Sequence, residues 1–536
     1  MSLLYTLAQL NPIVGDIKGN YHKICQAYDL ALTYNSNLCI TPELALIGYS
    51  PQDLVLKQHL IAEAEHYINL LANYTEAKSC GLIVGSIRYE HALYNVAYLI
   101  ADGKIKHVFS KYNLPNSGVF DEKRTFAHGT ISPGYSFKGK KIGLLICEDC
   151  WFDRHVAEVM HNNTDVLICI NASPFSIESY AKRIALITRH TTHWNKPVIY
   201  VNQVGGQDSV IFDGGSFVMD QNSQLLLQAK FFNEEIIHFD LNQKKSLITK
   251  TYPPEQKIYQ AVTLGLKDYV KKNGFSKVII GLSGGIDSAL TAVIATDAFG
   301  AENVFTYMLP SKFTSQNSLD DAKKLSDKLQ IKHEVIQIES IVNNFRLLLP
   351  NISESADQNI QARVRSIILM ALSNNNNALL IATGNKSEIA TGYTTLYGDM
   401  CGAYSPIKDL YKTQVYQLCQ WRNQNIADYS LMQKTNIIPQ NILTKAPTAE
   451  LRFNQTDQDN LPPYNVLDKV LFKLVEENMS KTDIIAQGYE QTLVEKIIKM
   501  LYAAEFKRHQ SAPGARVSKA CFNVDRRYPI TNKFIK

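Results

Sequence analysis

KVIIGLSGGIDSALTAVIATDAFG, residues 277–300, decides how the second half of this 536-residue chain folds. Its opening letters, KVIIGL, form a continuous apolar run, which is typical of a buried strand in a parallel sheet. The letters SALTAVIATDAF combine small and apolar residues in the manner of a packed helix. Ser283 to Ser288 are therefore predicted to form a tight turn from strand to helix.

This turn has the chemistry of a phosphate site. Its two glycines let the backbone approach a ligand closely, and the helix start offers free N–H groups and a partial positive charge. Asp287 adds a carboxylate, which suits a magnesium ion that bridges protein and phosphate oxygens. The turn is neither a GxxxxGK[ST] loop nor a GxGxxG fingerprint. A glycine-rich turn without a ligand is the alternative. The order of serine, two glycines, aspartate and serine after such a strand is restrictive, however, and favours a turn that binds a ligand.

Length and composition indicate an ordinary globular enzyme with two substantial domains. Charged residues make up 20% and the net charge is +5, a bias too small to require nucleic acid. The amino-terminal stretch has no signal peptide or membrane span, so we expect a cytoplasmic protein without a membrane partner. The nine cysteines show neither a disulfide framework nor a zinc spacing.

Apolar strands alternate with amphipathic helices throughout, which predicts an α/β fold. From Gly214 to about Leu247 the pattern changes to short hairpin strands, and a Pro-Pro pair then precedes a helix. We therefore expect one domain over residues 1–245, a linker over 246–258 and a second domain over 259–536.

Three residues in the first half follow apolar strands and can do chemistry together. Glu43 follows NLCITP, Lys111 follows KIKHVFS and Cys147 ends KKIGLLIC. If these strands share a sheet, the three side chains emerge at one edge. The carboxylate can then take the thiol proton, the thiolate can attack an amide carbonyl and the ammonium can stabilise the oxyanion. Taken singly, a core cysteine and a surface lysine are the alternatives.

The second half resembles known nucleotide enzymes. SGGIDS matches the SGGxDS signature of the ATP pyrophosphatase superfamily, and another apolar strand precedes TGNKSE, residues 383–388. That run, with QNIQARVR, KAPTAELRFNQTDQDNLPPY and RVSKACFNVDRRYPITN, is similar to NAD synthetases over nearly the whole second half. The resemblance implies a Rossmann-like parallel sheet of the adenine-nucleotide α-hydrolase type.

This resemblance also implies roles for single residues. Asp287 and Glu388 match magnesium ligands, and Glu388, Asp399 and Lys445 match contacts to deamido-NAD. Thr448 and Gln458 depart from the family pattern, in which serine and an acidic residue are frequent. The implied ATP-binding residues are Ser283, Gly284, Gly285, Ile286, Asp287, Ser288, Thr383, Lys412 and Lys445.

The first half resembles the nitrilase superfamily, which implies an α-β-β-α sandwich. TPELALIGYSPQDL, KYNLPNSGVFDEKRTF and GLLICEDCW are similar to its signatures in the glutaminase domain of glutamine-dependent NAD synthetases. Glu43, Lys111 and Cys147 then match the base, the oxyanion lysine and the nucleophile. Cys150, three residues further on, does not match the nucleophile. The implied glutamine-binding residues are Tyr49, Glu148 and Ser173, with Glu122 as a supporting glutamate.

Together the two resemblances imply a ligase that uses Mg²⁺ and ATP. Glutamine, or free ammonia, would supply nitrogen to adenylylated deamido-NAD, giving NAD, AMP, pyrophosphate and glutamate. Ammonia must pass between the two sites without being protonated in bulk water, which favours rigidly docked domains and hence a homo-oligomer. A fused glutaminase that amidates or thiolates another acceptor is the alternative enzyme. A nucleotide sensor with a dead hydrolase domain is the non-enzymatic alternative, which the presence of Glu43, Lys111 and Cys147 disfavours.

Overall fold

The computed structural model describes residues 3–242, 246–248 and 252–534. The chain divides into two compact units, Met1–Thr251 and Tyr252–Lys536. Of the expected linker 246–258, residues 249–251 lie outside the described residues, and a helix begins at Pro254. Residues 1–2, 243–245 and 535–536 of the expected domains lie outside them as well. Within the described ranges, every helix is too short or too polar to cross a membrane.

The described part of the amino-terminal unit contains two large sheets and four α-helices. Its helices are α1 (Ile17–Thr33), α2 (Gln58–Tyr74), α3 (Asp153–Met160) and α4 (Ser179–Trp194). Its strands are β1 (Leu4–Gln9), β2 (Leu38–Ile40), β3 (Gly81–Tyr89), β4 (Leu93–Ala101), β5 (Lys104–Ser110), β6 (Tyr135–Phe137), β7 (Lys140–Ile146), β8 (Val166–Asn171), β9 (Val198–Asn202), β10 (Val204–Gln207), β11 (Val210–Asp213), β12 (Phe217–Met219), β13 (Leu225–Gln228), β14 (Glu235–Asp240) and β15 (Leu247–Ile248).

The two sheets stack face to face between two layers of helices. The six-stranded sheet has the order β14-β1-β2-β3-β4-β5, and the seven-stranded sheet has the order β15-β13-β12-β9-β8-β7-β6. One apolar core joins α1 and α2 to the first sheet, another joins α3 and α4 to the second, and a third lies between the sheets. This is the α-β-β-α sandwich that the sequence predicted.

Strand β4 shows how the cores are separated. Val96, Tyr98 and Ile100 pack toward the helices, whereas Ala97 and Leu99 pack toward the other sheet. Successive side chains of a strand point to opposite faces, so one apolar strand contributes to both cores. This explains why residues 96–101 of the strand form an unbroken apolar run.

The carboxy-terminal unit has one parallel sheet surrounded by helices. Its strands are β16 (Val278–Gly281), β17 (Val304–Met308), β18 (Lys332–Val335) and β19 (Leu379–Ile381), in the order β18-β17-β16-β19. All three neighbouring pairs are parallel, which is the expected Rossmann-like arrangement. Ligands of such folds bind at the carboxyl ends of the strands.

The helices of this unit cover both faces of the sheet and form a carboxy-terminal cluster. They are α5 (Pro254–Lys272), α6 (Ile286–Phe299), α7 (Gln316–Leu329), α8 (Glu339–Leu348), α9 (Glu354–Asn376), α10 (Lys386–Thr391), α11 (Lys412–Gln424), α12 (Gln440–Thr444), α13 (Tyr464–Val475), α14 (Lys481–Ala486), α15 (Gln491–Ala503) and α16 (Glu505–Arg508).

Candidate active sites

The carboxylate, ammonium and thiol singled out in the sequence meet inside the amino-terminal unit. Glu43 follows β2, Lys111 directly follows β5 and Cys147 directly follows β7. The three strands do not share one sheet, because β7 belongs to the seven-stranded sheet. The site therefore lies where the carboxyl ends of strands from two stacked sheets converge, and not along one sheet edge.

Lys111 is the centre of a buried charge cluster. Its Nζ donates to Glu43 Oε1 at 2.7 Å and to Glu122 Oε1 at 2.8 Å. The same Glu122 oxygen accepts from the Tyr49 hydroxyl at 2.7 Å. Glu122, which sequence reasoning could only offer as a supporting glutamate, thus holds the lysine and a predicted pocket residue together. Burial raises the pKa of Glu122 to about 7, and Glu43 adds to the rise while Lys111 opposes it.

Cys147 begins a short helical turn, Cys147–Trp151, and its backbone is strained. Its φ is +49°, a left-handed conformation that non-glycine residues rarely adopt and that is often found at functional sites. Burial raises the pKa of its thiol well above the usual range; the charge of Glu43 adds to this and that of Lys111 opposes it. This environment therefore favours the neutral thiol over the thiolate.

Cys150 has a different environment. Its Sγ donates to the carbonyl oxygen of Cys147 at 2.9 Å, and its pKa is raised mainly by a hydrogen bond with Cys169. The thiol thus interacts with the backbone and with another core cysteine, which is the behaviour of a small buried hydrophobe.

The predicted glutamine-pocket residues surround this cluster. Tyr49 is buried and bonds Glu122, as described above. Glu148 is partly buried next to Cys147, and burial raises the pKa of its carboxyl group. Ser173 lies just beyond β8, where its N–H donates to Asn202 Oδ1 at 2.9 Å.

The carboxy-terminal unit encloses a cavity of about 960 Å³ at the carboxyl ends of its strands. Gly284 does not line it, although the neighbouring members of its turn do. The predicted residues along its wall are Ser283, Gly285, Ile286, Asp287, Ser288, Thr383, Glu388, Asp399, Lys412 and Lys445.

The turn from β16 to α6 is held by its own serines. Ser283 Oγ lies 3.1 Å from Ser288 Oγ and accepts from the Gly285 N–H at 3.3 Å. Gly284 has a φ of +77°, and a Cβ there would lie closer than 3.0 Å to the carbonyl oxygen of Ser318. This glycine is required by the backbone, while the serines and the helix start face the cavity.

The two predicted magnesium ligands share one ammonium. Lys412 Nζ donates to Asp287 Oδ2 at 2.5 Å and to Glu388 Oε1 at 3.1 Å, and Asn385 Nδ2 donates to Asp287 Oδ1 at 2.9 Å. Burial, aided by the charges of Asp287 and Asp457, raises the pKa of Glu388 to about 8.

A magnesium ion fits this donor set only together with substrate. Across the described ranges, no group of three or more His, Cys, Asp or Glu side chains could hold a metal ion. Two carboxylates completed by phosphate oxygens and water are nevertheless the ligands that Mg²⁺ commonly takes in nucleotide enzymes.

Three other predicted residues also line the cavity. Lys445 Nζ reaches the phosphate-type turn, donating to the Gly284 carbonyl at 3.1 Å and to Ser318 Oγ at 3.0 Å. Asp399 accepts from the Thr395 N–H at 2.6 Å. Thr383 lies just beyond β19.

Family comparisons divide the chain in the same way. A carbon-nitrogen hydrolase family matches residues 4–246, and an NAD synthase family matches residues 258–511. The glutamine-dependent NAD(+) synthetase of Acinetobacter baylyi is 39% identical over 543 residues, covering 99% of this chain and 98% of that protein. The enzyme of the same name from Rhodobacter capsulatus is 40% identical over 546 residues, with coverage of 99% and 98%. The chain belongs to the glutamine-dependent NAD(+) synthetases.

Solved structures agree with this assignment. The glutamine-dependent NAD+ synthetase of Acinetobacter baumannii, solved in complex with ADP, is similar with a TM-score of 0.79 at 37% identity, covering 99% of this chain and 98% of that one. The synthetase of Cytophaga hutchinsonii has a TM-score of 0.84 at 23% identity with coverage of 99% and 98%, which speaks for the fold alone.

The two departures from the synthetase pattern have different surroundings. Gln458 is exposed, whereas its neighbour Asp457 lines the cavity. Thr448 also lines the cavity, and its Oγ1 accepts from the Glu450 N–H at 3.2 Å. The hydroxyl of Thr448 thus lies at the cavity wall, and next to Gln458 the carboxyl group of Asp457 does so as well.

Sequence reasoning missed residues that support these synthetase sites. Asp149 Oδ1 accepts from the backbone N–H groups of Tyr112 and Asn113 at 3.2 and 2.7 Å, so it ties the chain after Lys111 to the turn after Cys147. Asp149 belongs to the GLLICEDCW segment, but the sequence does not indicate its partners, because Tyr112 and Asn113 lie more than 30 residues earlier in the chain.

Proposed function

We propose that this chain hydrolyses glutamine at Cys147 and uses the ammonia to convert adenylylated deamido-NAD to NAD. One observation carries the proposal: the chain contains two distinct sites. The first is a buried Glu43–Lys111 pair beside Cys147, and the second is a cavity lined by an SGGxDS turn. A carboxylate is a poor electrophile, so its amidation needs both an activated acyl group and a neutral ammonia molecule.

The glutaminase step begins with Glu43 as general base. Glu43 takes the Cys147 proton as the sulfur attacks the amide carbon, and the C–O π electrons move to the carbonyl oxygen. Collapse of this oxyanion breaks the C–N bond, and the proton on Glu43 leaves with the nitrogen as ammonia. Water then attacks the thioester, gives its proton to Glu43 and yields glutamate, and the thiol is restored by that proton.

Lys111 is suited to the oxyanion. An ammonium has three N–H donors, and two of them bond Glu43 and Glu122. The third is available for the developing negative charge, and the fixed ion pairs mean that the group need not reorganise during the reaction. Glu122 would hold Lys111 and Tyr49 in place for this purpose.

The synthetase step uses the cavity of the carboxy-terminal unit. Ser283, Ser288 and the start of α6 would hold the ATP phosphates, with Lys445 beside them. The nicotinate carboxylate of deamido-NAD attacks the α-phosphate and pyrophosphate leaves. Ammonia then attacks the acyl-adenylate, and AMP leaves. Thr383 would contact ATP, and Asp399 would contact deamido-NAD.

Asp287 and Glu388 would hold Mg²⁺ together with phosphate oxygens. Bound there, the ion would offset negative charge on the departing pyrophosphate. Lys412, which bridges the two carboxylates, would keep them at the cavity wall and add positive charge near the phosphates.

Three further expectations are part of the proposal. All nine cysteines lie in the described ranges as free thiols, which supports a reducing compartment such as the cytoplasm. Neither step needs nucleic acid or a membrane. Assembly into a homo-oligomer stays a prediction, for which sedimentation of the purified protein is the test.

The decisive experiment measures NAD formation from deamido-NAD and ATP with glutamine or with ammonium salt. Both nitrogen sources should support synthesis, and glutamate should appear only with glutamine. If AMP and pyrophosphate form with another adenylylated acceptor but not with deamido-NAD, the competing amidotransferase function is correct.

A further inference from the structure

Asn95 lies next to the buried cluster of Glu43, Lys111 and Glu122, although its strand is otherwise apolar. It belongs to β4 and is 1% exposed. The side-chain Nδ2 of Asn95 donates to Glu43 Oε1 at 2.8 Å, and its backbone carbonyl oxygen accepts from the backbone N–H of Lys111 at 2.9 Å. One residue thus contacts the side chain of the base and the backbone of the oxyanion lysine.

The two oxygens of Glu43 have unequal surroundings. Oε1 accepts from Asn95 Nδ2 and from Lys111 Nζ, whereas Oε2 accepts from the Ala172 N–H at 2.9 Å. The amide NH₂ and the ammonium can only donate, so both must point hydrogens at Oε1. A proton could bind Oε1 only after one of these donors had moved away. Within the described part of the chain Oε2 has a single donor, so a lone pair remains there.

We propose that Asn95 is a positioning residue that reserves Oε2 of Glu43 for the proton of Cys147. The inference rests on the proposed hydrolysis of glutamine. Asn95 and Lys111 together fix the rotation of the Glu43 carboxylate. The proton is therefore accepted by Oε2, which has a free lone pair, rather than by Oε1, which already has two donors. In each half-reaction the proton then moves from sulfur or water to Oε2 and returns to nitrogen or sulfur.

The other end of the Asn95 side chain supports this role. Its Oδ1 is buried and has no hydrogen-bond partner among the described residues. An unsatisfied buried acceptor destabilises the fold, and an apolar residue of similar size would avoid this cost. Packing alone therefore gives no reason for an asparagine here, whereas the bond to Glu43 does.

The test compares Asn95→Leu with Ser86→Ala. Ser86 lies on the neighbouring strand β3, and its hydroxyl is also buried without a hydrogen-bond partner in the described ranges, so it does not bond Glu43. For each variant we would measure kcat and KM for glutamine hydrolysis and NAD synthesis from ammonium salt.

Asn95→Leu should lower kcat for glutamine hydrolysis by about 10- to 100-fold, the range expected for a lost hydrogen bond to a charged group. KM for glutamine should change little, because Asn95 contacts the base and not the predicted pocket.

Synthesis from ammonium salt should be retained in both variants, which shows that the carboxy-terminal unit is folded, and far-UV circular dichroism reports the folding of the whole chain. An unchanged kcat, a rise in KM instead of a fall in kcat, or equal losses in Asn95→Leu and Ser86→Ala would overturn the proposal. If Asn95→Leu does not fold, Asn95→Ala is measured by the same criteria. A wild-type protein that does not hydrolyse glutamine would instead refute the proposed function.

Discussion

Replacing Gly284 by alanine tests whether the phosphate-type turn is fixed by its backbone. At φ +77° an L-residue is strained by about 1–2 kcal/mol. The added Cβ would also overlap the backbone of Ser318, whose Cα and carbonyl carbon would lie 3.0 Å away. Overpacking against atoms that cannot rotate away costs about 1–3 kcal/mol. The unit should therefore lose about 2–5 kcal/mol, the sum of these two costs.

Gly274→Ala is the matched control, because it has the same strain without the overlap. Its φ is +81°, and a Cβ there would meet nothing within 4 Å. The reduced freedom of the unfolded chain is the same for both substitutions and cancels in the difference. Gly284→Ala should thus be less stable than Gly274→Ala by about 1–3 kcal/mol.

Hydrogen exchange of the β16 amides measures this difference as a free energy of opening. Synthesis of NAD from ammonium salt should fall about 100-fold in Gly284→Ala, since a turn displaced by about 1 Å misplaces the donors to phosphate. Glutamine hydrolysis should persist in both variants. Equal opening free energies and equal synthesis rates would refute the reasoning, because the contact with Ser318 would then carry no cost.

Three other perturbations separate the two reactions. Cys147→Ala should lower glutamine-supported synthesis by more than about a thousandfold and leave ammonia-supported synthesis intact. Cys150→Ala should affect neither reaction strongly. If the two variants show exchanged phenotypes, the nucleophile is misassigned. Chelation of Mg²⁺ with EDTA should stop synthesis with either nitrogen source, as measured by AMP release, while glutamate still forms; synthesis that persists would exclude the ion. Lys445→Met should raise KM for ATP more than KM for glutamine, and equal changes in steady-state assays would place Lys445 outside the phosphate site.

The sequence by itself determined the local parts of both sites. The strand, turn and helix of residues 277–300 could be predicted because an apolar run, two glycines and a second apolar pattern act on near neighbours in the chain. The positions of Glu43, Lys111 and Cys147 at strand ends followed from the same local patterns. The family resemblance then supplied roles that periodicity alone could not.

Only the tertiary structure decided which distant groups meet. The sequence does not reveal that β7 lies in a different sheet from β2 and β5, because an apolar strand fits any buried sheet and burial has no preferred direction. It also does not reveal that Asn95 and Lys111 both donate to one oxygen of Glu43. Such contacts depend on the register and stacking of whole sheets, and hydrogen bonds of a few ångströms are set by that packing rather than by neighbours in the chain.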